Sequence, residues 1–183
     1  MTETDQSNIH DDPEYNLILL AVGECLAAWS NLEHLLGRLF SALVVGDPNQ
    51  IATAFAAVIS FETRLAMVDS IALRDSDKAL KRSWVSIQKK LFKSHKKRHE
   101  VAHFTMIYHN NVKKHRLHPF HVIGKPIGKS LTASDIATRT DRFIALGARV
   151  TNLYFYVLHR QGKLGEGVLQ GRDPLELLRN PDD

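Results

Sequence analysis

An all-α domain is the fold class this sequence predicts: an antiparallel four-helix bundle with a short β-hairpin or ordered loop before the last long helix. Three observations predict it. Apolar residues recur at helical 3,4 spacing through four segments, cap signals fall between those segments, and the one stretch that loses this spacing alternates like a strand around a turn signal. The 183 residues, 44% of them hydrophobic, suffice for a single core without a disulfide or a structural metal.

Residues 1 to 12 are polar and acidic and are expected to be a disordered tail. From about Glu14 to Val45 the residues Val22, Cys25, Trp29, Leu32, Leu36, Leu39 and Leu43 form one apolar seam, predicting a long first helix. Gly46, Asp47 and Pro48 read as an end, a cap and a first turn, after which Ile51, Phe55, Val58, Leu65 and Val68 mark a second helix. Asp75, Ser76 or Asp77 can cap a third, whose seam starts as Leu80, Trp84, Ile87 and Leu91 and turns polar at Ser94 and Arg98 before Val101. Residues 104 to 127 are expected to form a basic hairpin insert, with Asn110 and Asn111 at the turn. Thr132 and Asp135 make a capping box for a final helix with the seam Ile136, Thr140, Phe143, Gly147, Val150, Tyr154 and Val157. The domain therefore runs from 13 to 160. Glycines at 162, 165, 167 and 171 predict a flexible tail over 161 to 183, with one helical turn around Pro174 to Leu178.

The only cysteine, Cys25, sits among apolar neighbours and reads as a small buried hydrophobe in a reducing compartment rather than a catalytic thiol. No continuous apolar run approaches the about 20 residues of a bilayer span, and no leader pattern opens the chain. The expectation is a cytoplasmic protein without a membrane partner. Charge is distributed unevenly. Residues 78 to 129 hold 14 of the 24 Lys and Arg and seven of the ten His, but Glu100 is their one acid, so this segment carries +13 while the other 131 residues carry −9. A field this localised attracts polyanions, with an affinity that falls as salt rises.

The chemistry concentrates in Lys96, Lys97, Arg98, His99, Glu100, Val101, Ala102 and His103. Arg98 followed by His103, late in a helical domain, resembles the R-x4-6-H motif of the HEPN superfamily. The resemblance covers about residues 14 to 160 in architecture and six residues in motif. It implies a homodimer whose two motifs line one basic cleft, RNA as substrate, and a metal-independent cut that needs no cofactor. It also implies a toxin or phage-defence role with an antitoxin or nucleotidyltransferase as partner. The catalytic candidates are then Arg98 on the phosphate, His103 in proton transfer and His99 in support. The residue types fit: a histidine exchanges protons near neutral pH, and a guanidinium grips phosphate with a two-pronged fork. On an ideal helix five steps of about 100° leave Arg98 and His103 about 140° apart, a separation a shared dimer cleft would resolve.

Lys96, Lys97, Lys113, Lys114 and Arg116 are the expected RNA-binding cations, with His115 and His118 between them and Tyr108 and Phe120 available to stack bases. Glu33 and Glu62 interrupt apolar faces: if buried, each needs a partner, Arg98 or Arg64, and paired with Arg98 they would orient it; otherwise they are helix-boundary residues near solvent. Two other function classes stay open. One is a non-catalytic RNA- or protein-binding bundle. The other is a zinc hydrolase, because His99-Glu100-Val101-Ala102-His103 is a literal H-E-x-x-H with His109 where a third ligand would fall. His95, His99 and His103 share one helical row suited to adventitious metal binding, although Met106 replaces the expected glycine and three cations precede the motif. The favoured reading assigns no metal.

Overall fold

The computed structural model describes residues 12–109, 114–119, 129–165, 169 and 173–179. The described chain is helical apart from one hairpin, in the order α1 (Pro13–Leu43), α2 (Pro48–Ala57), α3 (Phe61–Ala72), α4 (Lys78–His103), β1 (Thr105–His109), β2 (Lys114–His118) and α5 (Ala133–Arg160), with a 3-10 turn at Pro174–Leu178. Helix starts follow the cap chemistry. Asp47 accepts from the Asn49 amide, Asp77 from Ala79 and Leu80, and Thr132 and Asp135 exchange hydrogen bonds of 2.9 and 3.0 Å as a reciprocal box. The Thr132 amide and hydroxyl hold the Asp135 carboxyl below its ordinary pKa.

Two expectations change here. The stripe from Ile51 to Val68 is two helices, because Val58 and Ser60 are extended and Ser60 caps α3 through the Thr63 amide. Arg64 takes up carbonyls left over at the end of α2, donating from Nε to Val58 O at 2.6 Å and from Nη2 to Ala56 O at 3.1 Å. Phe55, Val58, Leu65 and Val68 stand three, seven and three residues apart across the break, so apolar periodicity cannot reveal it. Bilayer-span length is also present after all: α1 has a mean hydropathy of 1.2 over 18 residues. A minority of that window is buried, and Leu17, Leu19 and Leu20 are exposed.

The chain divides into two compact units. The first comprises Met1–Trp29 and Lys96–Arg142, and its buried residues include Ile18, Cys25, Trp29, Val101, Leu117, Leu131 and Ile136. Cys25 is fully buried, and burial raises its thiol pKa against the opposing effect of the Thr140 hydroxyl. β1 and β2 pair antiparallel from Thr105 opposite His118 to His109 opposite Lys114. Leu117 is bridged in turn to Leu131, with amide–carbonyl distances of 3.0 and 2.8 Å. Asp12, the last residue of the expected tail, belongs to the fold, accepting from the amides of Glu14 and Tyr15 at 2.8 and 3.4 Å.

The second unit, Ser30–His95 and Phe143–Asp183, buries Leu32, Leu36 and Leu39 of α1, Leu80, Trp84, Ile87 and Leu91 of α4, and Phe143, Leu146, Val150, Leu153 and Val157 of α5. Gly147 lets α1 and α5 approach, since a Cβ there would stand 3.3 Å from Leu35 Cδ1. Trp84 Nε1 and Gln88 Nε2 both donate to the Asp69 carboxylate, at 2.6 and 3.1 Å. Below them Arg160 grips Asp75 with both guanidinium nitrogens, at 2.7 and 2.5 Å, and the Tyr156 hydroxyl donates to Asp77 at 2.6 Å.

This cluster sets the pH limits of the unit. Arg160 lowers the Asp75 pKa; at Asp77 burial opposes the shift, but the Tyr156 hydroxyl and the Leu80 and Ala79 amides outweigh it. A depressed folded pKa gives stability present above the ordinary value of 3.8 and lost as pH falls through the folded value. Burial and the Asp77 partner push Tyr156 up to about 12, so its contribution is full below 10 and disappears as pH rises toward 12. Denaturant titrations should therefore show stability falling below about pH 4, and Arg160→Met should flatten that fall. Absorbance titration should find a tyrosine ionising at about pH 12, a step that Tyr156→Phe removes.

Candidate nucleic-acid interface

All of the site that follows lies in the first unit. The last two turns of α4 carry Lys96, Lys97, Arg98, His99, Glu100 and His103, and the amphipathic pattern decides which of them point outward. Val101 is buried, Arg98 and Glu100 are half-buried, and Lys96, Lys97, His99 and His103 are exposed. Four residues apart on one face, the His99 and His103 rings lie 4.2 Å apart between centroids at 46°. The structure thus brings together the two histidines of the predicted constellation. Arg98 is turned aside from them, and its Nε is buried without a hydrogen-bond partner among the described residues.

Glu100, the one acid of the basic segment, is occupied. Arg139 of α5 donates from Nη2 to Glu100 Oε2 at 2.6 Å and from Nη1 to the Lys97 carbonyl at 2.9 Å, while Lys97 Nζ approaches Glu100 Oε1 at 3.1 Å. Arg139 is 9% exposed. It adds a charged bond to a carbonyl within the α4 ladder and neutralises the Glu100 carboxylate, so one side chain ties the C-terminal part of α4 to α5. Sequence reading passed over Arg139, yet a signal was present: it stands three residues after Ile136 and four before Phe143, on the apolar face, where a charge needs a partner.

The hairpin sorts the other candidates. Along β2 Lys114 is exposed, His115 buried, Arg116 half-buried, Leu117 buried and His118 half-buried. Strand alternation sends Lys114, Arg116 and His118 to one face and His115 to the other. His115 therefore leaves the set of outward hairpin cations: it is 5% exposed, its amide donates to Glu14 Oε2 at 3.1 Å, and its Nδ1 lies 3.0 Å from Asp12 Oδ2, an ion-pair contact without hydrogen-bond alignment. Tyr15 and Tyr108 flank its ring at 5.4 and 5.0 Å. Tyr108 still keeps nearly half its surface exposed. Lys113 and Phe120 fall outside the described residues, as do Asn110 and Asn111 of the expected turn, and His109 is described only as backbone.

The two carboxylates expected to orient Arg98 have partners in the second unit. Glu33 lies 3.8 Å from Arg64 Nη1, the alternative partner foreseen for it, and Glu62 lies 3.0 Å from His95 Nδ1 and accepts from Ser60 at 3.0 Å. The His95 ring also stacks on Phe61 at 4.7 Å. That pairing takes His95 out of a free metal-binding row with His99 and His103. Among the described residues no three His, Cys, Asp or Glu side chains are grouped to hold a metal ion. Glu100 is likewise unsuited to the base of an H-E-x-x-H site while Arg139 and Lys97 hold its oxygens.

Arg139→Ala should lower unfolding free energy by about 2–3 kcal/mol, since it removes two hydrogen bonds made by a nearly buried charged donor. Arg139→Lys should recover less than half of that loss, because one ammonium cannot span both acceptors in the geometry of the fork. Urea titration of the two variants checks both values. No family model, curated protein or solved structure matches the chain, so a functional reading must rest on the geometry of α4 and its hairpin.

Proposed function

We propose that this protein is a HEPN-like, metal-independent endoribonuclease that acts as a cytoplasmic homodimer of four-helix-bundle protomers. The observation that carries the reading is the pair of exposed histidines, His99 and His103, at the end of a helix within a segment of net charge +13 whose single acid is already neutralised by Arg139. A polyanion approaching this face meets cations without a competing free carboxylate, and it meets two exposed imidazoles. His103 takes or returns the proton at the ribose 2′-hydroxyl or the leaving oxygen, His99 supports its ring, and Arg98 stabilises phosphate charge from the partner's side of a shared cleft. That last assignment requires the guanidinium to swing outward, because its Nε is buried in the isolated chain. Lys96, Lys97, Lys114 and Arg116 hold the backbone, and Tyr108 offers a ring for a base. A toxin or phage-defence role, with an antitoxin or nucleotidyltransferase partner, follows only from the resemblance.

The buried Arg98 Nε also favours a second reading, an RNA-binding bundle without catalysis, since an arginine held away from the histidines cannot serve their phosphate. One set of variants separates the two. His103→Ala should abolish cleavage of single-stranded RNA and leave affinity and its salt slope nearly unchanged. Lys114→Ala with Arg116→Ala should weaken binding and reduce the salt slope by about 0.7 per contact while sparing cleavage at saturating RNA. Chelator should change neither result. Parental cleavage by His103→Ala, or a monomer by light scattering at micromolar concentration, would sink the composite site.

A further inference from the structure

We propose that the second unit contains a binding site, separate from the RNA reading, for a small amphiphilic anion: a carboxylate, phosphate or sulfonate carried on an apolar or aromatic body. The site is a cleft of about 490 Å³, within the range of small-molecule pockets. α1 supplies one wall, α2 and Arg64 of α3 a second, and the end of α5 the third. Its apolar surface comes mainly from Phe55, Ala52, Ala56 and Leu158. Phe55 is fixed from behind by Phe40, at 4.9 Å between ring centroids, and leaves no room for a side chain at Gly37, where a Cβ would come within 3.3 Å of it.

The polar groups decide the charge of the occupant. Glu33 and Arg64 face one another at 3.8 Å, and the Nε and Nη2 of Arg64 are already bound to the carbonyls that end α2, so this pair contributes little net charge. Arg38 and Lys163 then dominate the field. Arg38 lies over the Tyr154 ring at 4.7 Å and donates to its hydroxyl at 3.3 Å, which orients the guanidinium along the cleft wall while leaving most of its donors for a ligand. Lys163 is brought to the opening by the C-terminal turn of α5. The Gly162 amide bonds to His159 O and the Lys163 amide to Leu158 O, both at 2.9 Å, a Schellman turn made possible by φ of 65° at Gly162. The expected flexible tail therefore starts with an ordered cap. Two cations and an aromatic floor together favour an anionic head on an apolar body.

Two dyes with the same ring system test charge and shape separately: 1-anilinonaphthalene-8-sulfonate, an anion, and N-phenyl-1-naphthylamine, which lacks the sulfonate. The full-length protein should bind one anionic dye per chain, with fluorescence that saturates, and should bind the neutral dye at least about tenfold more weakly. Arg38→Ala and Lys163→Ala, both exposed positions, should each weaken the anionic dye about tenfold and leave the neutral dye unchanged. Ala52→Trp, which fills the cleft, should block both dyes while leaving thermal unfolding in place. Several dyes per chain, equal affinities for the two dyes, or parental affinity in Arg38→Ala and Lys163→Ala would overturn the proposal. So would loss of binding in Lys114→Ala with Arg116→Ala, which would move the dye to the hairpin. RNA cleavage by the cleft variants should remain parental, so failure of this site and failure of the nuclease reading give different results.

Discussion

Glu100 is the only acid between residues 78 and 129, and its ion pair with Arg139 is the interaction on which the candidate site depends. The last turns of α4 carry Lys96, Lys97 and Arg98 beside this lone carboxylate. From a position on the apolar face of α5, Arg139 donates to the Glu100 carboxylate and to the Lys97 carbonyl. The attraction is strong because the guanidinium is nearly dry, and the cost of drying it is offset by the two bonds it makes. What remains outward on α4 is cationic or titratable, so the same pair that anchors the helix also leaves its surface positive.

The hairpin is held by a similar exchange of charge for order. Strand alternation places His115 inward, where Asp12 and Glu14 at the start of α1 meet it and two tyrosines enclose it. Acids at a helix start are favoured by the helix dipole, and here they also fix one strand. Lys114, Arg116 and His118 are thereby set on the opposite face. A basic segment that would be a diffuse tether as a loop becomes a surface with one side.

In the second unit the corresponding device is Arg64. By binding the Ala56 and Val58 carbonyls it stabilises a break that divides one apolar stripe into α2 and α3. That break positions α2 as a wall of the cleft, and the Arg64–Glu33 pair keeps the wall near neutrality. The two units thus use a similar device, an arginine that bridges a backbone carbonyl and a nearby carboxylate, at Arg139 and at Arg64.

Much of the fold was legible in the sequence because its signals are local. Helical seams through Leu32, Leu36 and Leu39 or Leu80, Trp84 and Ile87, the Thr132–Asp135 box, the Asp47 cap and the alternation on either side of Asn110 all act over fewer than five residues. The clustering of positive charge and the exposed His99–His103 pair were legible for the same reason, since i and i+4 on a helix must be neighbours. Other features depend on residues far apart in the chain. That Arg139 meets Glu100, that His115 turns toward Asp12, that Glu62 takes His95 and that Arg64 ends a helix whose periodicity continues were decided by tertiary structure. A buried charge or an open carbonyl shows in sequence only as a need, and which group satisfies it depends on where packing brings the distant chain.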